Sequence, residues 1–174
     1  MLVPVRRIVT QNDENGHSFA LFDGNADNVL GTLTELWTTG PAPHDHASSD
    51  DHGATSRSLE PNENGTVFRF FQVAPEGEGS GRSREDVEAD WKTLFDGIEA
   101  SHCRPNTERH PGMHTTSTTD YIILLSGQIT LVLDKGELEL KPFDVVIQRG
   151  TNHAWVNRGK EDALLMAVLV DAKG

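Results

Sequence analysis

Residues 114–157 read HTTSTTDYIILLSGQITLVLDKGELELKPFDVVIQRGTNHAWVN. Turn signals recur through it at Ser126-Gly127, Lys135-Gly136, Pro142-Phe143 and Gly150-Thr151, with Arg158-Gly159 just beyond. Between them Ile129, Leu131 and Leu133 alternate with Gln128, Thr130 and Val132. Leu138 and Leu140 alternate with Glu137, Glu139 and Lys141. Short alternating segments at close spacing predict an antiparallel β-barrel or jelly roll.

Period-two geometry then places side chains. His114, Thr116, Thr118 and Asp120 fall on one face of a strand, and Tyr121 on the other. His153, Trp155 and Asn157 share a face further on. If the two faces meet inside the barrel, two imidazoles and a carboxylate converge beside two hydroxyls. Those are ligand types for Fe(II), Mn(II), Ni(II) or Zn(II). A metal-free pocket is the alternative, with a histidine as general base oriented by Asp120. A third reading makes the two histidines hydrogen-bonded interior residues.

These residues resemble the cupin superfamily, in particular its small single-domain conserved-barrel members. The first cupin motif runs Gly, five residues, His-x-His, three or four residues, Glu, six residues, Gly. His114 takes its first His, Thr116 stands at the second, Asp120 at the Glu, and Gly127 closes it. The second motif ends Pro-x-Gly, two residues, His, three residues, Asn. Gly150, His153 and Asn157 match it, Gln148 replaces the Pro, and Phe143 precedes Asp144 where Gly-Asp is usual. The pattern His-x-Thr-x-Thr-x-Asp-Tyr with Arg-Gly-Thr-Asn-His-x-Trp is similar to a subgroup of the family.

The resemblance implies a mainly β fold: a cupin-type double-stranded β-helix with an N-terminal strand extension and one amphipathic helix. It implies a divalent metal held by His114, Asp120 and His153, and an enzyme of dioxygenase, isomerase, decarboxylase or lyase type on a small organic substrate. Thr116, Thr118, Trp155 and Tyr121 are the expected substrate contacts. A non-catalytic small-molecule-binding cupin, serving as a sensor or pathway accessory without metal, is the competing expectation. Family analogy also suggests a homodimer.

The chain of 174 residues suits one domain. Residues 1–103 form its expected N-terminal extension and 104–174 its core. Residues 1–103 carry 18 acidic and 7 basic side chains, whereas residues 104–174 carry 9 and 8. The net charge of −12 therefore sits in the N-terminal part and disfavours nucleic acid and anionic membranes as partners. The single cysteine, Cys103, excludes an internal disulfide. With no apolar run of signal-peptide length, it points to a cytoplasmic protein.

Strands are predicted over 3–9, 18–22, 33–39 and 66–73, with turns at 11–16 and 24–28. Gly40 to Gly65 is rich in Pro, Asp, Ser, His and Asn, and reads as a long loop, either a lid or a solvated excursion. It holds His44, Asp45, His46, Asp50, Asp51 and His52, which have ligand chemistry but no flanking strands to fix them, so a solvated loop is expected. Residues 75–83 read as a flexible linker. A helix follows over 84–100, with Ser83 as N-cap and Asp86 completing a capping box. Its apolar stripe of Val87, Trp91, Leu94, Phe95 and Ile98 is expected to pack on the barrel exterior or a partner subunit. His110 and Met113 are placed at the pocket mouth. His102 next to Cys103 raises the option of a reactive thiol.

Overall fold

The computed structural model describes residues 2–76 and 83–172; most of the linker expected over 75–83 lies outside them. The strands are β1 (Arg6–Asn12), β2 (Ser18–Asn25), β3 (Val29–Leu30), β4 (Leu33–Thr39), β5 (Thr66–Val73), β6 (Thr118–Ser126), β7 (Ile129–Leu133), β8 (Glu137–Leu140), β9 (Val145–Arg149), β10 (His153–Val156) and β11 (Ala163–Asp171). One helix, α1 (Arg84–Gly97), precedes a short 3-10 turn at Ser101–Cys103.

A six-stranded sheet in the order β3-β4-β5-β11-β6-β9 faces a three-stranded sheet, β10-β7-β8, and every pairing is antiparallel. Their inner faces meet in one core. Val67, Ile122, Leu124 and Leu165 come from the larger sheet, and Ile129, Leu131 and Trp155 from the smaller. This is the cupin-type double-stranded β-helix. The hairpin β1-β2 stands apart as its own two-stranded sheet.

β-branched and aromatic residues dominate TVFRFFQV and LTELWTT, which suits strands half-buried on a pleated surface, and both strands begin and end where the sequence pattern puts them. Two boundaries differ. The first strand begins at Arg6 and runs to Asn12 rather than over 3–9, because its register is set by pairing Arg6 to Asn25 and Asn12 to Ser18. The stretch read as a turn at 24–28 instead ends β2 at Asn25.

Ser83 caps α1 as expected. Its hydroxyl accepts from Asp86 N, and the Asp86 carboxylate accepts from Ser83 N. The helix stops at Gly97 rather than 100, since Glu99 adopts a left-handed φ of 55° that no helix continues. Its apolar stripe does not cover the barrel exterior. Val87, Trp91, Leu94, Phe95 and Ile98 face a cavity at the barrel mouth. Gly112 lets the helix close in: a Cβ there would lie 2.9 Å from the Trp91 ring.

The 40–65 segment has no strand or helix but is anchored along its length. Arg7 pairs with Asp51. The His52 ring stacks on Trp37 at 5.0 Å. Asn28 Nδ2 donates to the Gly53 and Ser56 carbonyls, and Leu59 N donates to Ile98 O. His44 and His46 remain exposed. Among the described residues no helix is long and apolar enough to cross a membrane.

Candidate functional site: a mostly apolar cavity

A cavity of about 610 Å3 opens between the two sheets and α1. Most of its wall is apolar: Leu33, Leu59, Phe71, Trp91, Phe95 and Trp155. Charged or ring-nitrogen side chains also line it: Arg69, His114, Asp120 and His153, with Glu76 and Asp90.

The two histidines converge because of backbone pairing. His114 N donates to His153 O and His153 N to His114 O, both at 2.9 Å. Residues directly opposite in such a pair project to the same face of the sheet, and the ring centroids lie 4.3 Å apart. Each Nδ1 faces a main-chain carbonyl at 2.9 Å, His114 that of Gly112 and His153 that of Thr151. A carbonyl only accepts, so each Nδ1 carries the proton and each Nε2 keeps its lone pair. Burial drives the His114 pKa down to about 4 and that of His153 well below its ordinary value. Both rings are therefore neutral at physiological pH.

Asp120 follows from the inward parity of His114, Thr116 and Thr118. Thr116, Thr118 and Asp120 are all buried, and the Thr118 hydroxyl donates to Thr116 Oγ1 at 2.7 Å. Burial pushes the Asp120 carboxyl up to about 6, with Thr118 and the Arg69 charge pulling the other way. Its Oδ1 is buried without a hydrogen-bond partner.

Arg69 and Glu35 were not singled out by the sequence. They pair across β4 and β5, with Nε 3.2 Å from Glu35 Oε1. Each is only 1% exposed. Arg69 also donates to Ser58 O at 2.8 Å and interacts with the Asp120 charge. The signal was present: Glu35 and Arg69 each occupy an inward position of an alternating strand, where a charge survives only if paired.

Other expected residues separate. Thr116 and Trp155 line the cavity, and Thr118 lies buried behind Thr116. Tyr121 does not reach the cavity. It is 49% exposed on the outer face of β6, directly opposite the exposed Ile147, as period-two alternation after an inward Asp120 requires. Met113 is buried in a separate cluster with Val132, Ala154 and Val156 rather than at the mouth. His110 sits beside the mouth, its Nε2 2.8 Å from Glu76 Oε1 and its ring against Trp91. Asn157, at the end of the second motif, is fully buried and ties three main-chain groups. The His102–Cys103 contact exists at 3.5 Å, but burial and Glu60 push the thiol up to about 12. Those surroundings disfavour an activated thiolate.

Residues 102–169 match the family described as "Cupin domain". The chain therefore carries a cupin domain over that segment. Over part of its length the chain is similar to several curated proteins. It is 57% identical over 47 residues to the phomopsin biosynthesis cluster protein D of Diaporthe leptostromiformis, covering 26% of this chain and 25% of that one. It is 40% identical over 70 residues to the oryzines biosynthesis cluster protein J of Aspergillus oryzae, covering 37% and 39%. It is 40% identical over 65 residues to the cupin-domain-containing oxidoreductase srdD of Neurospora crassa, covering 35% and 33%. The chain thus spans 25% to 39% of the length of these curated relatives. Among solved structures, it is similar to a Cupin 2 conserved barrel domain protein from Salinispora arenicola, at 18% identity and a TM-score of 0.39, covering 84% and 83% of the two chains.

The cupin fold implies a divalent metal, and the donors fit it in part. His114 and His153 present two unprotonated Nε2 atoms, each ring fixed through Nδ1 as in metal-binding histidines. The unbonded Asp120 Oδ1 is a third donor of the right chemistry. However, the ligand atoms of His114, Asp120 and His153 do not all lie within 4.8 Å of one another.

Proposed function

We propose that this protein is a cupin enzyme of small-molecule biosynthesis, acting on a compact, largely apolar organic substrate that carries an oxygen function. The observation that carries this reading is the cavity's lining: a mostly apolar chamber into which a few polar groups, His114, His153, Asp120 and Arg69 among them, are set. Such a shape buries a small molecule and orients it by its few polar atoms. The relatives' names, cupin-domain-containing oxidoreductase and biosynthesis cluster protein, support the same class.

In this reading Phe71, Trp91, Phe95 and Trp155 grip the substrate body and exclude water. The imidazole Nε2 atoms accept hydrogen bonds from its oxygen function. Asp120, with a pKa near 6, exchanges a proton with the substrate close to neutral pH. Arg69 holds the Asp120 carboxylate in place. A divalent metal, held by His114 and His153 with Asp120 drawn in as third ligand, would supply Lewis-acid polarisation of the substrate oxygen.

The mostly apolar wall also favours a second reading, a metal-free binding protein that uses the same chamber. Two measurements on protein purified without chelator separate them. Stoichiometric Fe, Mn, Ni or Zn that is lost in both His114→Ala and His153→Ala supports the metal-centred enzyme. Metal-free protein whose tryptophan fluorescence is still quenched by naphthol, through Trp91 and Trp155, sinks the metal-centred version and leaves the binding protein. Failure of naphthol and related phenols or ketones to bind would overturn both.

A further inference from the structure

We propose that Glu60, His102 and Cys103 form a cation site outside the barrel, for a thiophilic divalent cation such as Zn2+, that staples the cavity wall. Their ligand atoms lie within 4.8 Å of one another, the only such trio of His, Cys, Asp and Glu among the described residues. His102 Nε2 is 3.5 Å from Cys103 Sγ and 2.8 Å from Glu60 Oε2. Ligands around tetrahedral zinc, bound at roughly 2.0–2.3 Å, stand about 3.3–3.7 Å apart, so small side-chain shifts complete the geometry.

The way the groups face one another favours a cation over a catalytic relay. In a nucleophile–base–carboxylate relay the two imidazole nitrogens serve different partners. Here the same Nε2 faces both the sulfur and the carboxylate. The carboxylate is also preset, since its Oε1 accepts from Ser117 N at 2.6 Å, leaving Oε2 toward His102. Burial grades outward from Cys103, through Glu60, to the exposed His102. The fourth position therefore faces solvent and would take water. A sulfur, nitrogen and oxygen set suits Zn2+ and not the oxygen-seeking Mg2+ or Ca2+. Binding replaces the thiol proton with the cation and releases it to solvent.

The three ligands join segments that border the cavity. Glu60 follows the cavity-lining Leu59, whose N–H bonds Ile98 O at the end of α1. His102 and Cys103 lie in the turn after α1, and Cys103 O accepts from Thr115 N beside His114. A cation here would couple the loop, the helix end and the first-motif strand, and stiffen the wall around the substrate.

Co2+ added to the reduced full-length protein tests this. The barrel donors contain no sulfur, so thiolate-to-cobalt charge transfer in the near ultraviolet reports Cys103 alone. The expected result is a saturable band at one equivalent, retained in His153→Ala and abolished in Cys103→Ala. Affinity should weaken at least tenfold in His102→Ala, whose exposed side chain can be removed without disturbing the fold. Zn2+ should displace the band and raise the melting temperature of the wild type but not of His102→Ala. Absence of the band, or a band indifferent to His102→Ala, would overturn the proposal.

Discussion

Replacing Arg69 with Met tests the buried charge at the floor of the cavity. Methionine keeps most of the aliphatic stem, so the main loss is the guanidinium. Glu35, 1% exposed, then has no cation beside it and must take up a proton. At pH 7 protonating a carboxyl with an ordinary value of 4.5 costs about 3.4 kcal/mol, at 1.36 for each pH unit. The Ser58 carbonyl loses its bond from Arg69 Nη2, adding about 1 kcal/mol. Because burial already raises the Glu35 pKa in the wild type, part of that cost is present beforehand, and the variant should lose up to about 4 kcal/mol at pH 7, within the range for breaking a buried pair from one side. At pH 5 the protonation cost shrinks to about 0.7 kcal/mol, and the deficit should fall below about 2 kcal/mol. The sign follows from linkage. Burial already raises the Glu35 pKa in the folded wild type, so its contribution is greatest below 4.5 and is lost as pH rises; without Arg69 that loss steepens. Urea denaturation followed by tryptophan fluorescence at both pH values measures the difference. The double variant Arg69→Met, Glu35→Gln should recover most of the loss at pH 7. A deficit that is the same at pH 5 and pH 7, or below about 1 kcal/mol at pH 7, would refute the reasoning.

Asp120→Asn should stabilise chelator-treated protein at pH 8 by up to roughly 3 kcal/mol, the linkage value of a carboxyl raised from 3.8 to about 6. The wild-type contribution is complete below 3.8 and lost as pH rises through 6, so the two proteins should converge below pH 4; melting temperature against pH shows whether they do. Asn157→Ala removes bonds to Val73 O, Glu161 O and Gly159 N, at 2.7 to 2.8 Å in a fully buried position. It should cost about 3 kcal/mol in urea denaturation, and a loss under about 1 kcal/mol would mean that water replaces these bonds.

The strands and the helix start were legible because local chemistry and tertiary packing agree there. LTELWTT and TVFRFFQV carry strand propensity on both faces, and Ser83 with Asp86 satisfies the helix's first donors without help from elsewhere. The inward set of His114, Thr116, Thr118 and Asp120 was legible because parity propagates along an extended chain. What pairing decides was not. The register of β1 depends on β2, the 40–65 loop owes its course to Arg7, Trp37 and Asn28, and the stop of α1 depends on the backbone at Glu99. The Arg69–Glu35 pair was hidden because each residue is intelligible only beside the other. The helix stripe was read as exterior packing because amphipathicity identifies an apolar face without saying whether it meets a solid core or a chamber.

The chamber wall divides the labour of the chain unevenly. His114, Asp120 and His153 lie within the cupin segment 102–169, while Leu33, Leu59, Phe71, Trp91 and Phe95 lie outside it. On the proposed function, the polar groups and much of the apolar wall would thus be written in different stretches of sequence. A change in the first 100 residues would then alter which molecule fits without touching His114, Asp120 or His153. A family match confined to 102–169 therefore bears on the histidines and Asp120 and leaves most of the wall from Leu33 to Phe95 outside it.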